Sequence, residues 1–193
     1  MIEVKVINKS NNPLPAYAHT ADAGCDLMAD LTSLDKFSLK GKNVYLGVEP
    51  EGNQFLVIRP GGTALVPVGL FTAIPEGYEV QIRPRSGLAL RNCVSVLNTP
   101  GTIDAGFRSE WGVILINHGS EPFIVHQGDR IAQAVLNKVE QIKWNQVESL
   151  DETERKGGFG STGVKASKDD SEETPKVTAE EILGEKSKKS SKK

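Results

Sequence analysis

Cysteine is scarce: Cys25 and Cys93 are the only two in 193 residues, with no Cys-x-x-Cys and no Cys/His spacing. A disulfide framework or a zinc site is therefore disfavoured, and a reducing, cytoplasmic setting is expected, with the nucleus left open. Long apolar runs are missing too: none reaches the roughly 18 residues that a spanning helix needs. The opening Met-Ile-Glu-Val-Lys-Val lacks the charged-then-apolar layout of a signal peptide. Charge of one sign is also lacking, since 23 Lys and Arg meet 25 Asp and Glu for a net −2. Neither direct nucleic-acid binding nor a membrane surface is an expected partner of such a chain.

What is present is a series of short apolar stretches. Ile2, Val4 and Val6 alternate, as do Val80 with Ile82 and Val94 with Val96, and short runs follow at 112–116, 122–125 and 131–136. Gly, Pro, Asn and Asp punctuate them. Many short strands between turn signals predict an all-β sandwich or barrel. The one helix expected in the body, around 87–91, is too short to cross over a parallel sheet. Between 35 and 56 the pattern loosens: Lys40-Gly41-Lys42-Asn43 reads as a turn, and 44–48 and 55–58 flank a second turn at 50–53. A surface hairpin and a plain loop both fit.

The length suits one domain with a tail. The body is expected to span 1–150, with 151–163 as a separate arm. Beyond it, 164–193 is rich in Lys, Ser and Glu and has no aromatic residue. Such a segment cannot offset its ordering entropy by burial and is expected to be disordered. Thr178 and Glu181 could cap a short helix before Ile182 and Leu183, marginal on its own. The Lys/Ser-rich end reads either as a solvated tail or as a localisation or polyanion-binding patch.

Five stretches carry chemistry. The first is Ala23-Gly24-Cys25-Asp26-Leu27, and the second runs from Arg83 through Arg85, Ser86 and Gly87 to Ala89. The third runs from Leu97 and Asn98 through Gly101-Thr102-Ile103-Asp104 to Phe107 and Arg108. The fourth is Gly128-Asp129-Arg130-Ile131-Ala132-Gln133, and the fifth is Arg155-Lys156-Gly157-Gly158-Phe159-Gly160-Ser161-Thr162-Gly163. Arg85 and Ser86 before a glycine at a helix start suit either phosphate oxygens or a plain helix cap. Asp104 in a Gly-Thr-Ile-Asp-Ala-Gly turn either bonds its own backbone or acts chemically. Phe107 is a core residue by default. The fifth stretch lacks the Gly-Lys-Ser/Thr of a P-loop and follows polar residues, not a strand. It reads either as a linker or as a lid in which Phe159 covers a planar ligand.

Taken together and in this order, the five stretches resemble the trimeric dUTPase family, over residues 1–163. Leu14-Pro15-Ala16-Tyr17 and Val80-Gln81-Ile82-Arg83 look like the family as well. The resemblance implies a jelly-roll-like β fold of the β-clip kind, a homotrimer, and sites shared among three subunits. The implied activity is hydrolysis of dUTP to dUMP and pyrophosphate. By the same resemblance Asp104 is the catalytic carboxylate that activates water and meets the 3′-hydroxyl. Asn98 and the backbone of Gly101, Thr102 and Ile103 match a hairpin that reads uracil. Phe107 falls where Tyr is common, and its ring would pack under the deoxyribose and exclude a 2′-hydroxyl. Arg85, Ser86, Gly87 and Gln133 match phosphate-binding positions. Asp26 matches an acid that positions the water shell of Mg²⁺, an ion held mainly by the phosphates. Phe159 would stack on uracil, with Gly160 beside it in the arm, and Arg155, Ser161 and Thr162 would hold the γ-phosphate.

Three features depart from the family pattern. One residue fewer separates Arg155 from the Gly157-Gly158 pair, Ser109 and Trp111 replace the usual sequence after Arg108, and 35–56 is long. Two other readings of the same pattern are a dCTP deaminase-like relative and a regulatory protein that keeps the fold and binds an unknown partner. The full fifth stretch and the uracil-hairpin sequence argue against the first. Intact Asp104, Arg85 and Phe159 argue against a purely non-enzymatic role.

Overall fold

The computed structural model describes residues 1–32, 34 and 39–154. It is all-β, as the punctuated alternation predicts, with eleven strands and one helix among the described residues. A two-stranded sheet pairs β1 (Lys5–Asn8) with β5 (Leu70–Ala73). A five-stranded sheet is centred on the long β4 (Gln54–Pro67), flanked by β3 (Gly41–Val48), β10 (Phe123–His126) and β9 (Gly112–Asn117), with β7 (Val94–Val96) beyond β9. A four-stranded sheet runs in the order β2 (Gly24–Met28), β11 (Arg130–Lys138), β6 (Tyr78–Arg83), β8 (Gly101–Ile103). Every strand pair is antiparallel.

The alternation in β9 shows why the strands form. Val113, Leu115 and Asn117 turn inward and are fully buried, and the residues between them face outward. Buried Asn117 is satisfied: its Nδ2 donates to Ile58 O (2.9 Å) and Glu121 O (2.8 Å), and its Oδ1 accepts from Gly119 N (2.8 Å). Leu27, Leu56, Ile58, Val66, Val125 and Ile131 complete the centre of the core.

Two local irregularities matter. Lys40-Gly41-Lys42-Asn43 is not a turn. Gly41 begins β3, and Asn43 (φ 50°) sits at a register shift between Lys42 and Val44. Opposite it, β4 passes through Pro60-Gly61-Gly62, where Gly61 has φ 68°. A β-carbon on Gly62 would stand 2.7 Å from Arg59 O and 2.8 Å from Asn43 O, so only glycine fits the close approach. That bend lets one strand pair with β10 through Phe55–Ile58 and with β9 through Thr63–Pro67. A turn closed by Glu49 N donating to Asn53 O (2.8 Å) joins β3 to β4. The second irregularity lies in β11, where the register with β2 shifts between Arg130 and Ala132.

Met1–Lys143 forms one compact unit. In the second unit, which starts at Trp144, the described residues up to Glu154 carry neither strand nor helix and are exposed. No described helix is long and apolar enough to cross a membrane.

Candidate active site

The first group of site residues forms where β2, β11 and β6 lie side by side. Asp26 on β2 is opposite Gln133 on β11, and Gln133 is opposite Arg83, the last residue of β6. Two residues later Arg85 turns back over the sheet. Its Nε donates to Asp26 Oδ1 at 2.9 Å, and its Nη1 donates to Arg130 O at 2.9 Å. Arg130 Nη1 stands 3.7 Å from Asp26 Oδ2. Gln133 Nε2 donates to Pro84 O at 2.8 Å. Asp26 and Arg85 are each about two-thirds covered, at 31% and 30% side-chain exposure, so their pairing is shielded more than an open surface contact.

The helix α1 (Ser86–Asn92) begins at once after Arg85. Arg85 stands at its N-cap and gives no side-chain cap bond, so the plain capping role considered for this position is not what Arg85 does. The first-turn N–H groups at Ser86 and Gly87 have no intrahelical acceptor. Two guanidinium groups and a carboxamide lie close together just before this helix, a donor-rich arrangement suited to a polyphosphate. A cleft of about 570 Å³ adjoins them, lined by Tyr17, Gly24, Asp26, Met28, Arg130 and Gln133 among others.

Arg130 is a member of this group that the sequence pattern did not single out. In a regular strand Arg130 and Gln133, three apart, face opposite ways. The bulge makes Ile131 and Ala132 both turn inward, fully buried, and so returns Arg130 to the side of Gln133. Burial, opposed by a backbone hydrogen bond and reinforced by the adjacent Asp26 carboxylate, pushes the Cys25 thiol above its ordinary value.

The second group follows β7 and β8. The expected hairpin is not laddered upon itself: β7 pairs with β9, whereas β8 pairs with β6, so the connection at 97–100 crosses between two sheets. Asn98 is exposed, and its Nδ2 lies 3.2 Å from where a β-carbon on buried Gly101 would stand. Asp104 comes directly after β8 and is exposed, its carbonyl accepting from Phe107 N at 3.0 Å. Phe107 is 37% exposed and outside the core. Arg108 Nη1 closes the loop by donating to Ala105 O (2.6 Å) and Phe107 O (2.9 Å). Trp111 anchors the loop's end: it is 5% exposed, and its indole N–H donates to Thr72 Oγ1 at 3.1 Å. Neighbouring Glu110 accepts from Gly69 N at 3.0 Å. Glu110 and Trp111 thus tie the end of the loop that carries Asp104 and Phe107 to Gly69 and Thr72.

Asp104 does not meet Arg85 within one chain, although Gly101, at the other end of β8, lies opposite Ile82 beside Arg83. Ile103 pairs with Val80, near the start of β6, and Arg85 lies beyond its end. At about 3.3 Å of rise per residue, Asp104 and Arg85 are separated by roughly 20 Å of strand. Arg155, Phe159, Gly160, Ser161 and Thr162 lie outside the described residues. Among the described residues no three His, Cys, Asp or Glu side chains gather as a metal cage.

Comparison with known proteins follows the same lines. A family model described as dUTPase matches residues 53–163. A deoxyuridine 5′-triphosphate nucleotidohydrolase from Alkaliphilus metalliredigens (strain QYMF) is 48% identical over 165 residues, covering 85% of this chain and 98% of the relative. Among solved structures, a mutant Staphylococcus bacteriophage 80alpha dUTPase with dUpNHpp has a TM-score of 0.63 at 21% identity, covering 84% of this chain and 99% of that one. A mutant dUTPase from phage phi11 of S. aureus, whose structure shows coordination of a structural Mg(II) ion, has a TM-score of 0.59 at 19% identity. It covers 78% of this chain and 99% of the phage protein. At these low identities the structural likeness speaks for the fold.

Proposed function

The chain belongs to the dUTPase family, and on that premise we propose that it hydrolyses dUTP to dUMP and pyrophosphate in sites assembled from several copies of itself. The observation that carries the assembly is the separation of Asp104 from Arg85 along β6: a donor-rich clamp at one end, an exposed carboxylate and ring at the other. A homotrimer brings the Asp104 end of one subunit to the clamp of another, with the 151–163 arm supplied by the third.

In this reading Arg85, Ser86, Gly87 and Gln133 bind the phosphates. Asp104 orients a water and takes its proton as the oxygen attacks the α-phosphorus, and the bond to the bridging oxygen breaks to release pyrophosphate. The ring of Phe107 lies against the deoxyribose, and Asn98 with the backbone of Gly101, Thr102 and Ile103 reads the uracil edge. Polar mismatch there discriminates more strongly than one methylene does. Phe159 covers the base, with Gly160 beside it, and Arg155, Ser161 and Thr162 hold the terminal phosphate.

The cofactor is Mg²⁺. Asp26 faces two guanidinium groups, and among the described residues it belongs to no cluster of three metal-ligating side chains. That set does not suit an all-protein cage, but it fits an ion that keeps its waters and is held mainly by the substrate's phosphates. When bound, the ion would neutralise charge on the phosphate oxygens, and Asp26 would accept hydrogen bonds from its water shell. Pyrophosphate release measured in parallel with dUTP, dCTP, dTTP and UTP tests the reading. Strong preference for dUTP is expected, and comparable turnover of dCTP or UTP refutes it.

A further inference from the structure

Gln133 lies against a residue with no side chain. Gly24 and Asp26 are two apart on β2 and face the same way, in register with Val135 and Gln133 on β11. The Gln133 side chain reaches across the ladder diagonal to lie over Gly24. A β-carbon on Gly24 would stand 2.5 Å from Gln133 Oε1 and 3.3 Å from both Gln133 Cδ and Val135 Cγ2. On the amide's other side, Nε2 donates to Pro84 O at 2.8 Å. The carboxamide is thus sandwiched between bare β2 backbone and the carbonyl just past β6. One of its two N–H bonds is committed to Pro84, and the other remains to donate. Gly24 itself belongs to a regular strand, so no unusual backbone conformation calls for glycine there. The space taken by the Gln133 amide does.

We propose that Gly24 is a positioning residue: the absence of a side chain at 24 holds the Gln133 carboxamide in the orientation that binds phosphate. The inference rests on the reading of Gln133 as a phosphate-binding residue. A methyl group at 24 meets chiefly the end of a flexible side chain, so the easiest response is rotation of Gln133 about its own torsions while the ladder stays intact. The loss then falls on substrate binding and spares the fold.

The test compares Gly24→Ala, Gln133→Ala and the double variant in the full-length chain, by steady-state kinetics on dUTP and by thermal unfolding. Each single change should raise KM about tenfold, the size of one hydrogen bond to a charged group. kcat should stay within about twofold and Tm should move by only a few degrees. The double variant should be no worse than either single one, because truncating Gln133 removes the obstacle; such non-additivity marks two residues acting as one. Independent, multiplying losses overturn the inference, as does a normal KM for Gly24→Ala beside an impaired Gln133→Ala. A normal KM for Gln133→Ala overturns the phosphate role of Gln133 itself, and the inference with it. If Gly24→Ala fails to fold, recovery of folding in the Gln133→Ala background supports the steric link, and failure there refutes it.

Discussion

The two ends of β6 are built differently. At the end near Arg85, side chains from two strands and the turn after a third are cross-linked: Arg85 to Asp26 and to the Arg130 carbonyl, Gln133 to the Pro84 carbonyl. At the other end Asp104 and Phe107 are exposed, and order comes from the loop's backbone, from Arg108 and from buried Trp111. The clamp is organised within a single chain. The carboxylate end holds a shape and leaves Asp104 and Phe107 exposed, open to the second surface that the proposed assembly would bring. Holding anionic phosphates needs fixed donors before the ligand arrives, whereas a general base needs only the right place once the water is there.

The largest expected effect is at the open end. Asp104→Asn retains size and most hydrogen bonding and removes the base. Turnover should fall by about 10²-fold or more, the usual range for general-base loss, while dUTP binding followed by calorimetry persists. Turnover within a few-fold of the parent would make Asp104 a structural residue and the comparison empty. Next comes a reconstitution. Asp104→Asn chains and chains truncated before Glu154 should each be nearly inactive as homotrimers. Co-expressed or refolded together, they should regain activity that co-elutes at trimer size, since a truncated chain supplies Asp104 and its partner supplies the arm. Mixed trimers as inactive as both parents would place Asp104 and the arm in one chain's own site.

At the clamp, Arg85→Ala removes a phosphate donor and leaves Asp26 without its 2.9 Å partner. kcat/KM should drop by about 10- to 10²-fold, the scale of charge-assisted hydrogen bonds. Arg130→Ala should cost only a few-fold, because its contact with Asp26 is 3.7 Å long and its side chain is 59% exposed. An Arg130 effect equal to that of Arg85 would mean that Arg130 touches substrate directly. Smallest of all, truncation after Gly163 should leave kcat and KM unchanged within error, and a clear loss would give the Lys-rich end a role in the reaction.

The all-β class was legible because burial on one face imprints a period of two: Val80 and Ile82, or Val113 and Leu115, are spaced as they are buried. Asp26, Arg85 and Gln133 were legible only through their order along the chain, since nothing in their spacing announces that they touch. What stayed hidden has a common cause. Lys40-Gly41-Lys42-Asn43 has turn composition yet lies at a strand start and bulge, where the same left-handed tolerance is used. Arg130 was missed because a bulge one residue away reverses the facing that counting by two assigns. The unladdered 97–100 connection depends on β6 and β9, which contribute the pairing partners from elsewhere in the chain. Local pattern reports which residues are inside; it does not report which distant strand they pair with.

The pairing of β2 with β11 sets when, as well as where, the clamp comes into being. The contact of Cys25 with Ala134 spans 109 positions in sequence, and Asp26 with Gln133 belongs to the same ladder. During synthesis β2 emerges early and has no neighbour in its sheet until β11 leaves the ribosome. Contacts of such range close slowly, because the loop entropy must be met before the pairing rewards it. A nascent chain lacking β11 therefore has Arg85 without the Arg130 carbonyl and Pro84 without Gln133, so the clamp is complete only once that strand has been made.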